Sequence, residues 1–129
     1  MAFSVGALLA ATLMVRNSQR SINPPFRCAV FLCGGIPGDP SALAQNDIRL
    51  LNYAADGEII SVPTAHIWGK NDPQVSFFGP ELSRLSNSRL KSIFIHEGGH
   101  EVPSAKDRPA LMRAVNCIQT TIEKVHTLH

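Results

Sequence analysis

The sequence predicts an α/β fold of about three parallel strands flanked by helices, and three observations carry that expectation. "FRCAVFLCGG" holds six consecutive apolar residues before paired glycines, the pattern of a strand buried on both faces. "EIISVPTAHIWG" and "LKSIFI" are two further runs rich in Ile and Val. The segments between and around these runs suit helices, and strands alternating with helices imply a parallel sheet with helices on its faces.

The elements follow in order. Residues 5 to about 16, "VGALLAATLMVR", contain Ala, Leu and Met without proline and read as a buried helix. "NSQRSINPP" breaks it before the first long strand. "IPGDPSALAQ" reads as a Pro/Gly-rich loop and "NDIRLLNYAADG" as a short helix. In "EIISVPTAHIWG", Pro63 either interrupts pairing or precedes the start of the strand, and Gly69 stops it. "KNDPQVSFFGP" is a loop, and "PELSRLSN" a helix with Pro80 in its first turn. "LKSIFI" is the third strand, and "HEGGHEVPS" the loop beyond it. "DRPALMRAVNCIQTTIEKVHTLH" closes the chain as an amphipathic helix with Asp107 as N-cap and Pro109 in the first turn. Its apolar stripe is expected along Leu111, Val115, Ile118, Ile122 and Val125.

At 129 residues the chain is long enough for one domain with one core, and 44% apolar with 17% charged residues excludes a disordered class. The net charge of +2, with Lys and Arg scattered, gives no footprint for nucleic acid. The opening "MAFSVGALLAATLMV" is apolar, but no basic region precedes it as in a signal peptide, and it is too short to span a bilayer. No membrane partner is expected. Cys28, Cys33 and Cys117 form no disulfide framework; they read as buried thiols of a reducing compartment, and the expected location is cytoplasmic.

"HEGGH", residues 96 to 100, matches the zinc signature H-E-x-x-H. That chemistry needs a helix, which alone brings His96 and His100 to one ion at i and i+4. Gly98 and Gly99 each disfavour helix by about 1 kcal/mol, and Pro103 biases Val102 away from it. A strand ending in a glycine-rich loop is the better account. No metal and no cofactor are expected, and a zinc hydrolase is the weaker alternative.

The loop account gives His100 another role. Reactive side chains of parallel α/β sheets sit on loops beyond the carboxyl ends of strands. His100 follows the third strand, and Asp72, in "GKNDPQV", follows the second. Ser4, in "AFSVG" before the first helix, approximates the G-x-S-x-G turn that exposes a serine above a sheet. Each has an ordinary structural reading, as helix cap, turn residue and surface histidine. Together, in the order Ser, Asp, His, they match nucleophile, orienting acid and base.

On these residues the chain resembles the fungal serine hydrolases of the FSH type, within the α/β-hydrolase superfamily. The elbow "AFSVGA", the "PPFRCAVFLCGG" strand, the acid loop "GKNDPQV" and "GGHEVP" are similar to that family's motifs from residue 2 to about 104. The resemblance implies a partial α/β-hydrolase fold, with residues 1–129 as one truncated domain running from the nucleophile elbow to the C-terminal helix. It implies a serine esterase or thioesterase acting on a small-molecule ester or thioester, or on an acyl chain held by a carrier protein, as in fungal polyketide metabolism. Ser4, Asp72 and His100 would be its triad, with the backbone N–H of Val5 as one oxyanion donor. Two departures qualify this. Ala2 stands in place of the first elbow glycine, whose absence of a Cβ lets the turn close. The chain before the elbow, which supplies further strands and the second oxyanion donor, is missing. A binding-only remnant is therefore the alternative, and self-association through an exposed strand edge is expected.

Overall fold

The computed structural model describes residues 1–23, 25–73 and 78–128. It contains a single sheet of four parallel strands in the order β1-β2-β3-β4: β1 (Ala2–Phe3), β2 (Ala29–Leu32), β3 (Thr64–Gly69) and β4 (Lys91–His96). The expected α/β class holds. The strand count rises from three because Ala2 and Phe3 pair with Phe31 and Leu32 as a short edge strand. β3 begins after Pro63, whose carbonyl instead accepts the Ala29 N–H at 3.0 Å.

Helices connect and cover the strands. α1 (Val5–Gln19) crosses from β1 to β2, α2 (Pro40–Leu43) and α3 (Tyr53–Asp56) lie between β2 and β3, and α4 (Phe78–Arg84) leads to β4. α5 (Arg108–Thr127) closes the chain, with the Asp107 side chain accepting the Ala110 N–H at 3.2 Å as expected of its N-cap. Among the described residues, no helix is long and apolar enough to cross a membrane.

The middle of the sheet, β2 and β3, is buried on both faces, whereas β4 exposes Ile93 and Ile95. On one face, Phe31 packs with Ala7, Ala11, Met14 and Val15 of α1 and with Leu51, Ile60, Leu82 and Leu85. On the other, Val30, Leu32, Ala65 and Ile67 pack with Ala114 and Cys117 of α5. Truncating a side chain as buried as Phe31 to alanine costs about 3–5 kcal/mol.

Four local expectations are corrected. α1 is buried on one face only; Val5, Leu9 and Leu13, four residues apart on one stripe, are exposed. Of the stripe expected on α5, Val125 is buried and Ile118 packs on the core, but the buried line runs on through Ala114, Cys117 and Thr121 and leaves Ile122 exposed. The loop at 36–45 contains α2, whose N-cap Asp39 accepts the Ser41 N–H. The helix expected over 46–57 shrinks to α3, because Arg49 is pinned to Asp39 at 2.9 Å and to Asp56 at 2.7 Å, holding the backbone before it in a loop.

Candidate active site

Ser4 sits where β1 becomes α1. Its N–H donates to the Leu32 carbonyl at 2.9 Å, so β2 fixes the turn. Its φ of 55° lies in the left-handed region that L-residues avoid, a strain of about 1–3 kcal/mol kept only where surroundings enforce it. The Ser4 carbonyl accepts the Ala7 and Leu8 N–H groups, whereas the Val5 and Gly6 N–H groups find no backbone acceptor among the described residues. Ala2 does not obstruct this turn: it pairs with Phe31, has no positive φ, and its methyl packs against the α1-side core.

Asp72 follows β3 and is completely buried; its N–H closes a turn onto the Gly69 carbonyl at 3.2 Å. Of the acid-loop pattern, Gln74 and Val75 lie outside the described residues, as does Pro24 of the segment leading into β2. His100 follows β4. Its Nδ1 stands 2.6 Å from Asp72 Oδ2 and its Nε2 2.9 Å from Ser4 Oγ. The Phe3 ring lies against the imidazole at 5.2 Å between centroids. The three residues singled out in the sequence thus form one hydrogen-bonded chain at the carboxyl edge of the sheet. With Asp72 accepting from Nδ1–H, Nε2 is left free to accept the serine proton.

The two loops are fastened to each other. Lys70 N–H donates to the His96 carbonyl at 2.7 Å, and Asn71 N–H to that of Gly98 at 3.1 Å. The Asn71 side-chain amide donates to the Glu97 carbonyl at 2.6 Å. Gly69 is required here, since a Cβ on it would collide with the carbonyl oxygens of Gly98 and Gly99.

"HEGGH" is the last residue of β4 followed by bends, not helix. His96 is buried and its Nδ1 accepts the Gly98 N–H at 3.1 Å, so it shapes the turn that carries His100. Among the described residues, the one cluster with metal-ligand types is Cys33, Asp72 and His100. Ligands on one ion each sit about 2 Å from it, farther from one another than the 2.6 Å separating Asp72 Oδ2 and His100 Nδ1. These donors are already committed to a hydrogen bond.

Cys33, read in the sequence as a buried thiol only, is buried and adjoins the site. Its φ is 51°, and its Sγ donates to the Glu101 carbonyl at 3.6 Å. Burial, and then the nearby Asp72 carboxylate, push this thiol up to about 11. Its position immediately after a strand and before paired glycines was the one signal that it faced the sheet edge.

Residues 1–110 match the family described as serine hydrolase (FSH1). The chain belongs to this family. Among curated relatives, it is 36% identical over 126 residues to Esterase FPY3 of Fusarium mangiferae, covering 97% of this chain and 55% of that protein. It is 31% identical over 102 residues to Hydrolase phiM of Fungal sp. (strain ATCC 74256), covering 78% of this chain and 47% of that one. It is 32% identical to Probable esterase azaC of Aspergillus niger, covering 78% of this chain and 39% of that protein. The chain spans about half the length of the first two relatives and less of the third. As a serine hydrolase family member it has fungal esterases and hydrolases among its relatives.

Proposed function

We propose that this chain carries the reaction centre of an esterase or thioesterase that works through an acyl-enzyme on Ser4. The observation that carries the reading is the unbroken chain from Ser4 Oγ through both nitrogens of His100 to a fully buried Asp72 carboxylate. Ser4 Oγ attacks the substrate carbonyl carbon while His100 Nε2 takes its proton. Asp72 holds the Nδ1–H tautomer and stabilises the imidazolium that forms. The Val5 N–H, at the positive end of α1, faces the developing oxyanion. Collapse of the tetrahedral species breaks the bond to the leaving alcohol or thiol, which receives the proton from His100. A water activated by His100 then releases the acid and frees Ser4.

The substrate is a carboxylic ester or thioester of a small molecule, or an acyl group delivered on a carrier protein. A place in fungal polyketide metabolism, in the cytoplasm, is the setting that the family resemblance supports. The test is labelling of Ser4 by a fluorophosphonate together with a burst of p-nitrophenol from a short ester. One equivalent of burst product, lost with the label in Ser4→Ala, is expected. An unlabelled chain that nonetheless binds acyl ligands would support the binding-only alternative.

A further inference from the structure

The carboxyl end of β2 reaches every segment that bears a site residue. The Leu32 carbonyl accepts the Ser4 N–H at 2.9 Å and so holds the nucleophile turn. The next residue, Cys33, donates its N–H to the Ile67 carbonyl at 2.8 Å, the last rung onto β3 before the Asp72 loop. Its left-handed φ of 51° then turns the chain away from the strand. The side chain stays beneath the site, with Sγ donating to the Glu101 carbonyl at 3.6 Å, one residue beyond His100. Its sulfur lies within 4.8 Å of the ligand-type atoms of both Asp72 and His100.

We propose that Cys33 is a positioning residue: its S–H···O contact with Glu101 fixes the His100 loop over Ser4 and Asp72. The proposal rests on the Ser4 reading above for its effect on rate, but not for its effect on the loop. The loop contains Gly98 and Gly99, which restrict the backbone little by themselves. It is tied to the Asp72 loop on one side through Asn71. The thiol is the tie from β2, and it acts on the residue adjacent to His100. Cys33 is 1% exposed and its thiol is held in the protonated form by burial and by Asp72, as a steady S–H donor requires.

The backbone strain at position 33 applies alike to Cys, Ser and Ala, so comparing them isolates the side chain. Cys33→Ala removes the donor, and Cys33→Ser restores one in a smaller group. Two readouts are taken on the full chain: kcat and KM for a p-nitrophenyl ester, and hydrogen exchange of residues 97–102 by mass spectrometry. Cys33→Ala should lower kcat about five- to tenfold, the worth of one hydrogen bond, with KM nearly unchanged. It should also speed exchange of residues 97–102. Cys33→Ser should recover most of both. Wild-type kcat and exchange in Cys33→Ala, or equal losses in Ala and Ser, would overturn the proposal in favour of simple packing. If fluorophosphonate fails to label Ser4 but exchange follows the expected order, the hydrolase reading falls and the positioning role stands.

Discussion

Ser4 Oγ and His100 Nε2 are 2.9 Å apart although 96 positions separate them in the chain. Only the parallel topology brings them together, because it sends both residues to the same edge of the sheet. Ser4→Ala should abolish ester turnover by at least about 1000-fold and remove the fluorophosphonate label. Asp72→Asn should lower kcat by about 10,000-fold while leaving the fold intact, because the amide favours the wrong imidazole tautomer. Steady-state kinetics and circular dichroism check both. Ser4→Ala with unchanged turnover would place the reaction elsewhere.

Gly69 is where the Asp72 loop and the His100 loop touch. Gly69→Ala should destabilise the chain by about 1–3 kcal/mol, since the obstructing atoms are backbone carbonyls rather than movable side chains. Turnover should fall as well, because relief of the clash must move Gly98 and Gly99 and with them His100. Urea unfolding paired with kinetics measures the two effects. A variant of wild-type stability would show that the loops are not in contact.

The three thiols should differ in reactivity. Cys33 is pushed up to about 11, and Cys117 is raised, in each case chiefly by burial. Cys28 is only half-buried. Native protein at pH 8 should therefore react quickly with a disulfide reagent at Cys28 alone, and at all three after denaturation. Fast native modification of Cys33 would contradict its enclosure beneath the site.

How far the sequence reached can be judged from such residues. Strands β2 and β3 were legible because parallel strands covered on both faces are continuously apolar, and Phe31, Val30 and Ile67 show that double burial. β4 was legible from its Ile-rich composition although Ile93 and Ile95 are exposed. Ser4, Asp72 and His100 could be placed together because each sits just beyond a strand end at one sheet edge. Singly each had an ordinary structural reading, and only their order and shared edge set them apart. The buried face of α1 was not legible, and that of α5 only in part, through Ile118 and Val125. Exposed Leu9 and Ile122 look as suited to a core as buried Ala11 and Thr121. Which side of a helix faces the sheet is fixed by the neighbours it approaches, not by its own residues. Cys33 was missed for a similar reason, since a thiol reads as core filler until Glu101, 68 positions away, is seen to accept from it.

His66 makes stability depend on pH. It is 1% exposed on the Phe31 face of the sheet, bonded to Thr64 Oγ1 at 3.0 Å with its ring tilted against Phe31 at 5.4 Å. Burial, and secondarily Lys91, hold its imidazole down to about 3 from an ordinary 6.5. The unfolded chain therefore takes up this proton near pH 6.5, while the native chain resists it until about pH 3. The stabilisation is complete above pH 6.5 and is lost progressively as pH falls towards 3. Between pH 7.5 and pH 5 the loss should be about 2 kcal/mol. Urea midpoints at the two values measure it, and His66→Gln should flatten the slope. An unchanged slope in that variant would assign the pH dependence to other groups.

The edge of β1 makes the last expectation. β1 pairs with β2 on one side, and among the described residues no strand covers its other side. The exposed apolar side chains nearby are Met1 and Phe3, followed by Val5, Leu9 and Leu13 along one stripe of α1. An open strand edge beside an apolar stripe is a template for association, since unpaired N–H and C=O groups and unburied surface are satisfied together. These 129 residues expressed alone should therefore form dimers or larger species. If the Val5 N–H is the oxyanion donor proposed above, these residues alone should also turn esters over slowly, since a missing second donor typically costs about 100- to 1000-fold. Leu9→Glu with Leu13→Glu should shift the population towards monomer, placing charge on the stripe without touching Ser4, Asp72 or His100. Multi-angle light scattering across a concentration series reads the result. A monomeric wild-type chain with turnover equal to that of a full-length relative would show that neither the edge nor the stripe needs a partner.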